Sequence, residues 1–162
     1  MRIVPTVRDP ENRRMTPAVD RRRILGLLAR SPSSLLAERM ARLGAAPDFV
    51  WLRRPETGTV MLRGRIGGDG ELFHVGEATL TRCTLRLADG TVGVGTVRGC
   101  DAHHAERVAL CDALLQQATA AERVATEVID ALAEAESARR ARAAADTAAS
   151  RVDFFTLVRG ED

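Results

Sequence analysis

A chain of 162 residues with 45% hydrophobic and 28% charged side chains is long enough for one domain with a packed core, and its composition excludes a disordered or fibrous protein. Its 24 basic residues are all Arg, and 22 acidic residues are interspersed with them, leaving a formal charge of +2 that does not call for nucleic acid. Cys83, Cys100 and Cys111 form neither a disulfide framework nor a CxxC metal pair, and no apolar run approaches a membrane span or a signal peptide, so the cytoplasm is the expected location.

Residues 1–15 have a polar, Pro-interrupted composition and read as a mobile arm, with 16–162 as a single domain. Thr16-Pro17 is a helix-start signal, followed by an apolar stripe at Ile24, Leu25, Leu27 and Leu28. Ser31-Pro32 repeats that signal before Leu35, Leu36, Met40 and Leu43, and Gly44 supplies a stop. The period then changes. Phe49–Arg54 and Thr59–Ile66 are strand-like runs flanking Glu56-Thr57-Gly58, a predicted turn. Gly67-Gly68-Asp69-Gly70 is the next turn, and Leu72–Leu87 is a strand bent at Gly76. Asp89-Gly90 predicts a type I′ hairpin back into Thr91–Val97.

After Gly99 the pattern is helical, with Asp101 as N-cap and Val108, Cys111, Leu114 and Leu115 on one face. Val124, Val128, Ile129 and Leu132 continue it, and an interruption is predicted at Glu134–Ser137. An Ala- and Arg-rich helix follows, with Glu136 and Arg140 at i,i+4. The last segment, Arg151–Gly160, reads as an extended tail whose Phe154 and Phe155 are expected to be buried. The fold class is therefore α+β: two short N-terminal helices, a central antiparallel meander, long C-terminal helices packing on it and an extended tail.

No catalytic residue is assigned. Gly93-x-Gly95 with Gly99 nearly matches a dinucleotide fingerprint, but the last Gly is one residue late and the context is a meander; close packing of a helix on a strand explains the glycines better. His104 and Glu106 are the nearest to catalytic candidates, and His104 with Arg107 could hold an anion at a helix start, although an Asp101 cap competes for the same amides and a capping role is the favoured reading. His103 and His104 are adjacent and cannot ligate a metal as an i,i+4 pair does. Gly67–Gly70, behind Arg63 and Arg65, could cradle a phosphate, although turn glycines are the commoner reading. Arg63, Arg65, Arg82 and Arg86 alternate along their strands, so each pair presents its guanidinium groups on one sheet face, either solvated or meeting anions or an acidic partner.

From Glu56 onward the chain resembles the PhnG family of the bacterial carbon–phosphorus lyase system. The resemblance is carried by Glu56-Thr57-Gly58, Arg65-x-Gly67-Gly68-x-Gly70-Glu71-x-Phe73, Gly76-x-Ala78-Thr79-Leu80-Thr81-Arg82 and Arg86-Leu87-x-Asp89-Gly90-Thr91-x-Gly93. His104-Ala105-Glu106-Arg107, Ala109-Leu110-x-Asp112-Ala113-Leu114 and Arg151-Val152-Asp153-Phe154-Phe155-Thr156-x-Val158-Arg159-Gly160 continue it. One departure is Cys100, which stands where the family pattern has Arg.

The resemblance implies a core complex with PhnH, PhnI and PhnJ subunits. That complex would replace the adenine of ATP with methylphosphonate, giving α-D-ribose 1-methylphosphonate 5-triphosphate before a radical step on another chain. This chain is then expected to bind no cofactor or metal itself, with ATP and methylphosphonate as substrates of the complex and PhnI carrying the chemistry. Arg65, Arg82, Arg86 and Arg107 become the anion or partner surface, and Phe154, Phe155 and Arg159 the docking tail. The rival readings are a small nucleic-acid module using Arg21-Arg22-Arg23 and the Arg-rich last helix, and a stand-alone hydrolase. Scarce aromatic residues on the strands count against the first.

Overall fold

The computed structural model describes residues 17–151. Two helices, α1 (Pro17–Arg30) and α2 (Ser33–Ala41), precede three strands, β1 (Phe49–Arg65), β2 (Leu72–Leu87) and β3 (Val92–Arg98). Then come α3 (Ala102–Leu115), a short α4 (Ala121–Val124), a π turn (Ala125–Asp130) and α5 (Ala131–Ala149). The strands form an antiparallel sheet in the order β1-β2-β3, the predicted meander. Thr16, residues 1–15 and the segment holding Phe154, Phe155 and Arg159 lie outside the described residues. No helix among the described residues is long and apolar enough to cross a membrane.

Glu56-Thr57-Gly58 is not a turn. It lies inside β1, where these residues pair with Arg82, Thr81 and Leu80. Register shifts on either side of Arg53 absorb the irregularity, and Pro55 is tolerated because a bulged edge strand can spare its N–H. The Thr57 and Thr81 hydroxyls, 3.0 Å apart, tie the two strands together across this point. The hairpin turns instead at Ile66–Gly68, where Gly67 and Gly68 have φ of 63° and 94°. A further register shift leaves Val75 as an extra residue beside Gly76, the predicted bend.

The Asp89-Gly90 hairpin forms with a different turn. Only Gly90 has positive φ there, at 90°. Its N–H donates to the Leu87 carbonyl at 3.0 Å, and the Leu87 N–H donates to Thr91 at 2.9 Å. This is a three-residue loop ending in a left-handed Gly, not a type I′ turn. Asp89 fixes it, accepting from the Thr91 N–H and hydroxyl at 2.9 Å each.

One sheet face is buried beneath α3. Thr81, Cys83, Leu85 and Leu87 point inward from β2 while Arg82 and Arg86 point out. Phe49 and Trp51, opposite Leu87 and Leu85, share the inner face and meet edge to face at 4.9 Å. The helix approaches at backbone distance because β3 offers glycines. A Cβ on Gly95 would lie 2.0 Å from the Ala105 carbonyl oxygen, and one on Gly93 would lie 2.0 Å from that of Ala109. Gly93 and Gly95 of the near-fingerprint therefore serve close packing, as the sequence suggested, while Gly99 meets nothing at its Cβ position and instead has a positive φ of 89°.

Around α3, α1 and α2 pack on one side, and α5 with the π turn packs against α1 and α2. The interruption expected at Glu134–Ser137 falls elsewhere. Glu136 accepts from Arg139 Nε and Arg140 Nε, both at 2.7 Å, which reinforces α5 there. The irregularity sits at Ala125–Asp130, where a widened turn offsets helical drift and keeps Val124, Val128 and Leu132 on one buried face.

Candidate functional site

The start of α3 holds most of the sequence's chemical candidates. Asp101 caps the helix, accepting the His104 N–H at 2.8 Å. That bond and one from the Ser33 hydroxyl hold the Asp101 carboxyl below the usual carboxylate range. His104 is 7% exposed, and its Nε2 lies 3.0 Å from the Leu28 carbonyl. A carbonyl only accepts, so Nε2 carries the hydrogen and donates it. Ser31 donates to the same carbonyl at 2.7 Å, closing α1. Arg107 reaches Ser33 at 3.4 Å, and Glu106, half-buried, has His103 Nδ1 4.0 Å away. Together these residues knit α1, α2 and α3. His104 and Glu106 meet different partners, and the Asp101 carboxylate takes a helix-start amide that an anion would need.

A second buried polar group escaped sequence reasoning. Asp112 is 2% exposed and accepts from Arg21 Nε and Nη2 at 2.8 and 2.7 Å and from the Val94 N–H at 2.9 Å. One carboxylate thus joins α1, α3 and the edge of β3. Gln116 completes that edge by donating to the Val92 carbonyl at 2.9 Å. The available signal was a carboxylate inside the apolar pattern Ala109-Leu110-Cys111-Asp112-Ala113; a charge there is kept only if paired.

The sheet arginines divide between two faces. Arg82 is on the outer face, turned away from α3, with Nε 2.8 Å from Glu56, which also meets Arg53 at 3.4 Å. Arg86 shares that face and has no ion-pair partner among the described residues. Arg63 and Arg65 alternate onto the inner face, near the hairpin tip, where Arg65 donates to the Gly70 carbonyl at 3.0 Å. No single cleft collects Arg65, Arg82, Arg86 and Arg107.

Most of the exposed large hydrophobic residues among the described ones lie on the distal half of the β1–β2 hairpin. β3 covers β2 only from Leu80 to Arg86, so Thr59–Arg65 and Leu72–Thr79 continue as a two-stranded arm. Its outer face is apolar: Val60, Leu62, Phe73 and Val75 are 41%, 46%, 44% and 61% exposed. Gly64 leaves room there for Val75 and Phe73 to lie across β1. Sequence reasoning read these residues as strand and gave them no role.

The profile of the family described as "Phosphonate metabolism protein PhnG" matches residues 19–160. A protein of Rhizobium meliloti (strain 1021), named alpha-D-ribose 1-methylphosphonate 5-triphosphate synthase subunit PhnG, is 45% identical over 143 residues, covering 88% of this chain and 90% of that protein. The matched span includes the arm, the glycine-mediated contact of α3 and the Asp101–Arg107 helix start. This chain belongs to the PhnG family of phosphonate metabolism proteins.

Proposed function

We propose that this chain is a subunit of an α-D-ribose 1-methylphosphonate 5-triphosphate synthase that works in the cytoplasm, where it shapes the assembly while partner chains carry the chemistry. The partners are the PhnH, PhnI and PhnJ subunits, and the complex takes ATP and methylphosphonate as substrates. The exchange breaks the bond from ribose C1 to adenine and forms one from C1 to a phosphonate oxygen. It needs a proton for the departing adenine and cations for the triphosphate. The observation that carries a docking role is the arm, with an apolar face that nothing in the described fold covers. The best acid candidate, His104, spends its Nε2 hydrogen on Leu28.

The nucleic-acid alternative loses support from the same geometry. Arg21 is committed to Asp112, and Arg139 and Arg140 to Glu136. The test is co-expression with PhnH, PhnI and PhnJ proteins, affinity isolation, and an assay of adenine release from ATP plus methylphosphonate. Co-isolation, with adenine release that falls when this chain is left out, is the expected result. Recovery of the chain alone, with release unchanged by its omission, removes the proposal.

A further inference from the structure

The two edges of the sheet are treated differently. On β3, Asp112 accepts the outward Val94 N–H and Gln116 donates to the outward Val92 carbonyl, so α3 side chains consume the edge. On β1, the lower half is blunted by two register shifts and Pro55. Above them, Thr57–Leu62 runs in unbroken register opposite Thr81–Gly76, with all six residues exposed and no charge or proline among them.

The direction of its free groups follows from β2. The Thr79 carbonyl accepts from the Gly99 N–H at 2.8 Å, on the β3 side. Thr79 therefore turns its backbone groups away from β1, and its opposite residue Thr59 turns its own away from β2. By alternation, Thr57, Thr59 and Met61 present N–H and C=O to the open edge. Arginines frame this run: Arg53 and Arg54 below, Arg63 and Arg65 above. The only acid in β1, Glu56, is already held by Arg82 and Arg53. A second β1 alongside would add four more arginines to the same edge, which argues against self-pairing.

Building on the subunit reading above, we infer that Thr57–Leu62 is a strand-addition site for an extended segment of a partner subunit. That segment has an apolar or β-branched middle and carboxylates at its two ends. Its backbone pairs with Thr57, Thr59 and Met61, its apolar side chains extend the Val60–Leu62 face, and its carboxylates meet the framing arginines.

The test follows amide hydrogen exchange of Thr57, Thr59 and Met61 in the isolated chain and in its co-expressed complex with PhnH, PhnI and PhnJ. Assembly is expected to slow these amides about tenfold or more. Thr59→Pro removes one outward donor without touching a β1–β2 bond, and is expected to cut partner co-isolation about tenfold. Thermal melting of the variant checks that it folds. Arg54→Glu with Arg63→Glu, which leaves the backbone intact, is expected to weaken co-isolation as well.

Assembly with full adenine release, but unchanged exchange and normal assembly of both variants, overturns strand addition and leaves the subunit reading standing. Failure of the wild-type chain to assemble overturns both. Protection already present in the isolated chain also overturns the inference. It assigns the edge to a segment of the same chain if independent of concentration, or to a second copy if it grows with concentration and a dimer sediments.

Discussion

β1 and β2 are continuous strands with two different fates along their length. At the base they carry a third strand and a helix: Cys83, Leu85 and Val97 are buried, and α3 touches β3 backbone to backbone across Gly93 and Gly95. In the arm the same pair runs on with neither partner among the described residues, and its apolar residues are exposed. An isolated two-stranded ribbon is marginal by itself. The arm therefore borrows its order from the base, through the unbroken register at Thr57–Leu62. One strand pair serves stability at one end and recognition at the other, and substitutions at the two ends should behave oppositely.

The largest effect is expected at the base. Gly95→Val would drive a side chain into the Ala105 carbonyl oxygen, 2.0 Å from the first added carbon. We expect a loss of about 3 kcal/mol or more in urea unfolding, with Gly95→Ala milder. An unchanged midpoint for Gly95→Val would mean that α3 does not lie on β3 at this distance.

Next is the buried carboxylate. Asp112→Ala removes both Arg21 bonds and strands the Val94 N–H, at a cost of about 2–3 kcal/mol. Asp112→Asn keeps an acceptor for Val94 and is expected to recover part of that loss. Equal losses for Ala and Asn would show that the Val94 bond contributes nothing.

A smaller, pH-dependent effect comes from Cys111 in the same helix. Burial, with the Asp112 charge adding to it, pushes this thiol from 9.0 up to about 12, and burial pushes Cys83 up to about 11. The folded state thus holds these protons more tightly than the unfolded chain. Their contribution is complete below about pH 9 and is lost as pH rises through the folded values. The Cys111 share of that loss is on the order of 1 kcal/mol by pH 10. Denaturation midpoints of wild type and Cys111→Ala, measured from pH 8 to 10.5, should therefore converge as pH rises. A constant gap would contradict the burial of this thiol.

How much of this was legible in the sequence divides along the same line. The base was readable because its signals are local and redundant: alternation in Thr79–Leu87, Asp101 as a cap, and β3 glycines suited to a closely packed helix. The turn predicted at Glu56-Thr57-Gly58 failed because strand pairing with β2 overrode a local preference, and an edge bulge accommodated Pro55. The displaced helix break failed similarly, since buried spacing by four at Val124, Val128 and Leu132 governs where the turn widens. The Arg21–Asp112 pair spans 91 residues and leaves only a misplaced charge as its local trace. The arm's apolar face was visible as residues but not as a surface, because only the end of β3 at Arg98 shows where the cover stops.

The smallest effect on stability is expected in the arm, and it tests the comparison most directly. Val60 and Leu62 are already 41% and 46% exposed, so replacing both with Ser removes little surface that folding takes from water. What remains is the β preference of the side chains, within about 1 kcal/mol on a host scale. For the isolated chain, urea unfolding of the double variant should nearly overlay the wild type, while Leu85→Ala, fully buried at the base, costs about 2–5 kcal/mol. Light scattering should fall, because a smaller apolar patch is left to self-associate. A destabilisation as large as that of Leu85→Ala would place the outer face of the arm inside a buried contact of the free protein. The two ends of the hairpin would then no longer differ in kind.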